Sequence, residues 1–336
     1  MPAPSPHFVS SDVVERVISW DDVIAQVRKA YCVPHAESVS PPRTVARDAG
    51  LWLRTLTAVP PGARYMGAKL FGIGRRRTLQ YVVVLIDQET GEIAGFVDAN
   101  LITAYRTAAT SAVAVDLLAA SGPQVMGLLG SGAEAQSHLR AIARVRNLKT
   151  VQVFSPTPEK REAFARQFTQ ELGVECRAVA SAEEAVAGND IVVAAARSRN
   201  EEPILFGRWL RPGMVVVSIG STLPEQREID SSVVAACDLI VCDVVDEVIT
   251  ETGDMIAAVR DGVEFKSKIV SLNQLVSQPK ADGAANPRMP LFKSVGSALQ
   301  DLAVAELVFD KACAQGLATP LPIKFLLKGR GLREKT

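Results

Sequence analysis

The spacing Gly130-x-Gly132-x-x-Ala135 follows the apolar run Val125 to Leu129 and opens a helix-patterned segment. Gly130 allows a sharp turn, Gly132 lets backbone approach a phosphate with no Cβ in the way, and Ala135 keeps helix and strand close. Free N–H groups and the positive end of a helix dipole then hold a dinucleotide pyrophosphate. An ordinary tight turn shows the same local pattern, so the surrounding elements decide between the two.

Those elements favour a nucleotide site. A second apolar run, Val151 to Phe154, begins about 20 residues after the glycines, the length of one helix and a short connection. Further strand-like runs, Val174–Val179, Asp190–Ala196, Met214–Ile219 and Leu239–Cys242, alternate with polar or helix-patterned segments, which predicts an α/β Rossmann domain on a parallel sheet. In the helix after the glycines, Leu139, Ile142, Ala143 and Val145 recur at helical spacing beside Arg140, Arg144 and Arg146.

Residues before this region read as an α+β domain. Ser19-Trp20-Asp21-Asp22 is a helix start, and Trp20, Val23, Ile24, Val27 and Tyr31 form its apolar stripe. Extended runs follow at Leu51–Val59, Tyr65–Phe71, Tyr81–Asp87 and Ile93–Val97, the last two joined through the turn-rich Gln88–Glu92. Near the other end, Leu291 to Phe309 carries Leu291, Val295, Leu299, Leu302, Leu307 and Val308 in helix-like spacing. It lies after the last strand-like run of the nucleotide domain and could cross back to the first domain.

Composition limits the function classes. With 37 basic and 37 acidic residues there is no electrostatic footprint for nucleic acid or an anionic membrane. Met1-Pro-Ala-Pro-Ser-Pro has no basic stretch followed by an apolar one, and the apolar runs are too short to span a bilayer, so cytoplasmic residence is the default expectation. The five cysteines, Cys32, Cys176, Cys237, Cys242 and Cys313, do not form a disulfide framework. The three histidines, His7, His35 and His138, lack metal-ligand spacing, and no metal is expected.

Over nearly its whole length the chain resembles the ornithine cyclodeaminase and mu-crystallin family. The matching segments are Pro-Pro-Arg43, Met66-Gly-Ala-Lys69, Asp87-x-x-Thr-Gly91, Tyr105-Arg106-Thr-Ala-Ala109, Gly130 to Gln136, Pro212-Gly213 and Ile219-Gly220. Arg227-Glu228-Ile-Asp230, Gly253-Asp254, Leu291 to Gly296 and Gln300-Asp301 complete the set. The resemblance implies hydride transfer at an amino-acid Cα by a homodimer. Residues 1–120 together with 294–336 would form the substrate-binding and dimerisation domain, and 121–293 the Rossmann NAD(P)-binding domain.

A small amino or imino acid presents a carboxylate, which a bidentate Arg and a Lys point charge suit. Arg43 and Lys69 occupy the substrate-carboxylate positions that the resemblance implies. Lys69 stands in the apolar segment Tyr-Met-Gly-Ala-Lys-Leu-Phe, where it is either a buried cation with a partner or an edge-strand lysine facing solvent. Arg106, amid small residues, matches a position that contacts the dinucleotide. Ala135, Gln136, Ile219 and Gly220 match further cofactor positions. Ser294 and Val295 match positions beside nicotinamide and substrate. Lys293 and Asp301 share the helix-patterned segment, but their separation of eight positions gives no basis for pairing them.

Departures from the family sharpen the reading. Cyclodeaminases place a proton-transferring Asp in Gly-x-Asp-x-Pro; here the segment is Gly220-Ser-Thr222-Leu-Pro224. Thr222 cannot act as a carboxylate base at neutral pH. Reduction of a preformed imine needs only an anchored carboxylate, a protonated C=N and a hydride, so the chain reads as a ketimine or imino-acid reductase. Lys69 is the candidate proton donor, and Thr222 either bonds the imine nitrogen or cofactor or simply caps a turn. A cyclodeaminase and a non-catalytic NADP-binding member are the alternatives. Arg75-Arg76-Arg77 is either a solvated loop or a selector of dicarboxylic substrates. At the end of the second strand, Ser155-Pro-Thr157-Pro, then Lys160 and Arg161, offers hydroxyls and cations where NAD enzymes carry an acid. Ser155 and Thr157 therefore favour NADP(H) over NAD(H).

Overall fold

The computed structural model describes residues 5–197, 200–278 and 287–325. The first part runs β1 (His7–Val9), α1 (Ser11–Val17), α2 (Trp20–Cys32), β2 (Thr44–Asp48), β3 (Leu51–Ala58) and β4 (Tyr65–Ile73). It continues with β5 (Leu79–Asp87), β6 (Ile93–Asp98) and α3 (Asn100–Leu118). Then come β7 (Gln124–Leu129), α4 (Ala133–Val145), β8 (Leu148–Phe154), α5 (Pro158–Leu172), β9 (Glu175–Ala178), α6 (Ala182–Val186), β10 (Ile191–Ala194) and β11 (Val215–Ser218). Next are α7 (Ser231–Ala236), β12 (Leu239–Cys242), α8 (Val245–Glu251), α9 (Gly253–Arg260), β13 (Ile269–Ser271) and α10 (Leu272–Ser277). The described chain closes with β14 (Pro290–Lys293), α11 (Ala298–Ala314) and β15 (Thr319–Pro320).

Two sheets result. A mixed sheet runs in the order β15-β1-β6-β5-β4-β3-β2, and an all-parallel sheet in the order β13-β12-β14-β11-β10-β7-β8-β9. In the parallel sheet β8 and β10 flank β7, so the chain reverses direction there and opens a crevice at the carboxyl ends of the strands.

The residues account for these elements. Ser19 starts α2 by accepting a hydrogen bond from the Asp22 N–H, and Val23, Ile24, Val27 and Tyr31 are its buried face. In α3, Ala108, Ala109, Ala112, Val113, Ala114 and Val115 are all buried. A helix apolar on every side belongs in the interior, and small side chains let α3 pack against α2, α4 and α11. The α11 helix is equally apolar and lies against β3, β4 and β5.

One expectation is overturned. Leu291–Lys293 is not helical but belongs to β14, inserted between β11 and β12. The helix starts only at Ala298, and Leu239–Cys242 is not the last strand of its sheet. A short apolar run fits both strand and helix periods, and only its neighbours in the sheet settle it. Strands β1, β2, β13 and β15, each short or exposed, show no period in the sequence. Among the described residues no helix is long and apolar enough to cross a membrane, and no His, Cys, Asp and Glu cluster could hold a metal.

Candidate active site

A cavity of about 680 Å³ lies between the inner face of the mixed sheet and the carboxyl ends of β10 and β11. Alternation along β3 and β4 builds one wall: Trp52, Arg54 and Leu56 point the same way, paired across the strands with Ile73, Phe71 and Lys69. Tyr81 on β5 stacks on Phe71 with ring centroids 4.9 Å apart. Lys69 is therefore an inward residue of a central strand, not a solvent-facing edge lysine, and is only 2 % exposed.

Its partner is Asp301. Lys69 Nζ donates to Asp301 Oδ1 at 2.8 Å, and Arg106 Nε donates to the same oxygen at 3.0 Å. Arg106 Nη1 also donates to Gln300 Oε1 at 2.9 Å. One carboxylate thus serves two cations, leaving an excess of positive charge at the cavity wall. Burial pushes the Lys69 ammonium down to about 7, against the pull of Asp301 and with help from the Arg106 charge. Arg106, expected on the cofactor side, presents its guanidinium to the same carboxylate as Lys69. Gly296 makes room for it: at φ +83°, a Cβ there would lie 2.3 Å from Arg106 Nη1.

Arg43 lines the same cavity but is already paired. Its guanidinium meets the Glu247 carboxylate and donates to the carbonyl oxygens of Val295 and Gly296, and its N–H donates to Glu247 Oε2 at 3.2 Å. The Ser294–Gly296 loop is held from behind by Asp243, which accepts from Ser294 Oγ at 2.6 Å and from the Val295 and Gly296 N–H groups at 3.0 and 2.7 Å. Lys293 points away from the cavity, fully buried against Asp254 Oδ2 at 3.0 Å and Ser218 Oγ at 2.9 Å.

On the opposite wall stand Ile219, Gly220 and Thr222. Glu228 fixes this loop by accepting from Ser218 Oγ at 2.6 Å and from the Ile219 and Gly220 N–H groups at 2.8 Å each. A Cβ at Gly220 would lie 2.4 Å from Glu228 Oε1, which explains the glycine. Thr222 Oγ1 donates to Gln226 Oε1 at 3.2 Å, and its lone pairs remain available as acceptors.

The glycine turn fits a dinucleotide. Gly130 has φ +124° and a Cβ there would sit 2.8 Å from the Ala195 carbonyl oxygen, so one side of the turn is packed tight. At Gly132 a Cβ meets nothing within 4 Å, so the other side is open. Gly132 caps α4 without any side-chain hydrogen bond, leaving the first-turn N–H groups for an anion, and Ala135 is fully buried against the sheet. Gln136 lies one position on, beside a separate surface cleft. After β8, Ser131 Oγ donates to Ser155 Oγ at 2.9 Å and Arg161 Nη1 donates to the Ser155 carbonyl at 2.8 Å, while Thr157 and Lys160 are exposed. Of the three consecutive arginines, all exposed, Arg77 lines the cavity and Arg75 and Arg76 do not.

Sequence reading passed over Glu247, Asp243 and Arg54, and it set Asp301 against Lys293 rather than against Lys69 and Arg106. Asp301 stands on the buried face of α11 with Ala298, Leu302 and Ala305, and Arg54 shares parity with the buried Leu56 and Ala58. Charges at apolar positions were the available signal.

Fold and cleft are those of a dinucleotide-binding oxidoreductase. The chain belongs to the ornithine cyclodeaminase/mu-crystallin family, whose model matches residues 49–316. It is 28% identical over 320 residues to a Delta(1)-pyrroline-2-carboxylate reductase of Bacillus cereus, covering 92% of this chain and 97% of the relative. It is 33% identical over 231 residues to ketimine reductase mu-crystallin of Mus musculus, covering 69% of each. The structure of Thermococcus litoralis Delta(1)-pyrroline-2-carboxylate reductase in complex with NADH and L-proline superimposes with a TM-score of 0.84 at 28% identity, covering 94% of this chain and 100% of that one. These named homologues are pyrroline-2-carboxylate and ketimine reductases, and the Thermococcus litoralis enzyme is in complex with NADH.

Proposed function

We propose that the protein reduces an imine bearing an adjacent carboxylate to the L-amino acid, using NADPH in preference to NADH. The observation that carries this reading is the Lys69–Asp301–Arg106 cluster on the cavity wall, where two buried cations share one carboxylate. The excess charge suits a substrate carboxylate, which Arg106 and Lys69 would anchor while Arg43, already paired with Glu247, keeps its remaining donors at the edge.

Gly130, Gly132, Ala135 and Gln136 would hold the dinucleotide, with Ile219, Gly220 and Ser294 beside the nicotinamide. When bound, the cofactor supplies a hydride to Cα. The chain's own part is to orient the imine, exclude water and move a proton. Lys69, held near 7 by burial, is charged enough to donate to the imine nitrogen and acidic enough to let go. Thr222 Oγ1, its proton turned to Gln226, can accept from the protonated C=N and fix its direction. Val295 shapes the pocket beside the substrate.

Ser155 and Thr157, with Arg161 anchored over the Ser155 carbonyl, support NADPH because the residue that ends β8 and its successor, Phe154 and Ser155, carry no carboxylate to repel a 2′-phosphate. Residues 1–120 together with 294–336 would form the substrate-binding and dimerisation unit, and 121–293 the cofactor unit. A second copy of the chain is the proposed cover for the outward face of the mixed sheet, where Leu53 and Val59 are exposed and Val59, Met66, Ala68 and Ile86 line a depression of about 420 Å³. The free state of all five cysteines fits a cytoplasmic location.

The test is NADPH consumption by the purified protein with pyrroline-2-carboxylate, piperideine-2-carboxylate, and pyruvate or oxaloacetate mixed with ammonia or methylamine. Turnover of any imine supports the reading. Silence throughout, with ammonia released from ornithine or lysine, replaces it with a cyclodeaminase.

A further inference from the structure

Arg54 is 7 % exposed and lines the cavity, yet among the described residues it makes no ion pair and no side-chain hydrogen bond, and its Nε is buried without a partner. A guanidinium does not lose its proton inside a protein, so it remains a charge that burial penalises. Here burial, followed by the repulsion of Arg43 and Arg47, weakens its hold on the proton, and the attraction of Glu247 and Glu225 does not offset this. Rings keep it in place: its guanidinium carbon lies 4.7 Å from the Trp52 ring and 6.0 Å from the Phe71 ring. Lys69 Nζ lies 5.3 Å from the same Phe71 ring.

Every other buried cation of the cavity has an acid. Glu247 balances Arg43, and Asp301 is shared by Lys69 and Arg106. A substrate α-carboxylate would neutralise the second group and leave Arg54 still unbalanced. Arg54 is the diagonal neighbour of Lys69 across β3 and β4, a spacing of about 7–8 Å between backbones.

We infer that Arg54 is the specificity-determining residue of a subsite for a second anionic group on the substrate, so that the preferred imine is a dicarboxylate. This rests on the reductase reading and goes beyond it by naming the substrate class. The guanidinium offers two parallel donors to a carboxylate, and Arg54 lines the cavity with the Trp52 and Phe71 rings beside it. The exposed Arg77 stands at the rim and adds attraction without a fixed geometry.

The test pairs turnover with binding. Imines formed from methylamine with oxaloacetate or 2-oxoglutarate are compared with those from pyruvate or 2-oxobutyrate, in wild type, Arg54→Gln and Arg54→Lys. The expected result is a higher kcat/KM for the dicarboxylic imines in wild type. Arg54→Gln loses about 10- to 100-fold on them, mainly through KM, and Arg54→Lys restores part of it. The monocarboxylic imines change little, which also shows that the variant is folded. In parallel, thermal stabilisation by succinate and glutarate is measured against acetate and propionate.

Equal wild-type kcat/KM for the two classes, or an equal loss on both in Arg54→Gln, overturns the inference while leaving the reductase reading intact. No imine turnover, but Arg54-dependent stabilisation by dicarboxylates, keeps the subsite and overturns the reductase reading.

Discussion

Lys69 Nζ and Asp301 Oδ1 are 2.8 Å apart, joined across 232 positions of sequence and buried almost completely. The pair ties a central strand of the mixed sheet to the returning helix α11, and Arg106 from α3 completes it. Three elements must therefore be in register before the cavity has its charge.

The first consequence concerns pH. Lys69 is pushed down to about 7, and the protonated form is the one that donates. Activity with a preformed imine is expected to level off below that value and to fall about tenfold per pH unit above it. Lys69→Met is expected to lower kcat by about 10²- to 10⁴-fold and to remove this limb. A limb that survives in the variant belongs to another group.

Asp301→Asn removes the one acid that two buried cations share. Unpaired charge in the interior costs about 3–5 kcal/mol when a partner is deleted, so the melting temperature should drop. In the surviving fold Lys69 loses an attraction that holds its proton, and the pH limb should move to lower pH. A variant with wild-type stability and an unmoved limb would contradict the assigned pairing.

Gly296 combines φ +83° with the close approach of Arg106 Nη1. Gly296→Ala is expected to cost about 1–3 kcal/mol through backbone strain and to push the guanidinium aside. Its kinetic mark should be a raised KM for the imine with an unchanged cofactor dissociation constant. Weakened cofactor binding with an unaltered imine KM would place Arg106 on the dinucleotide instead.

Cofactor preference turns on the end of β8. Ser155→Asp should repel a 2′-phosphate and accept the ribose hydroxyls, exchanging NADPH preference for NADH. Arg161→Ala should weaken NADPH more than NADH. Michaelis constants for the two cofactors that are equal in the wild type would refute the preference itself.

Much of the fold was legible locally. Period-two and helical patterns located β3 to β12 to within a few residues, because each run is long enough, or flanked by enough turn residues, to show its period. The glycine turn was equally legible, since its function depends on backbone shape within one turn. Leu291–Lys293 was misread because so short a strand carries no period of its own.

The charges of the cavity divide in the same way. Sequence by itself determined the nucleotide half of the molecule, the absence of a carboxylate at Thr222, and Arg43, Lys69 and Arg106 as cations of interest. Only the tertiary structure decided which acid answers which cation: Glu247 for Arg43, Asp301 for both Lys69 and Arg106, and none among the described residues for Arg54. Burial sets the cost of a charge and proximity sets its compensation, and both depend on residues brought together from distant parts of the chain.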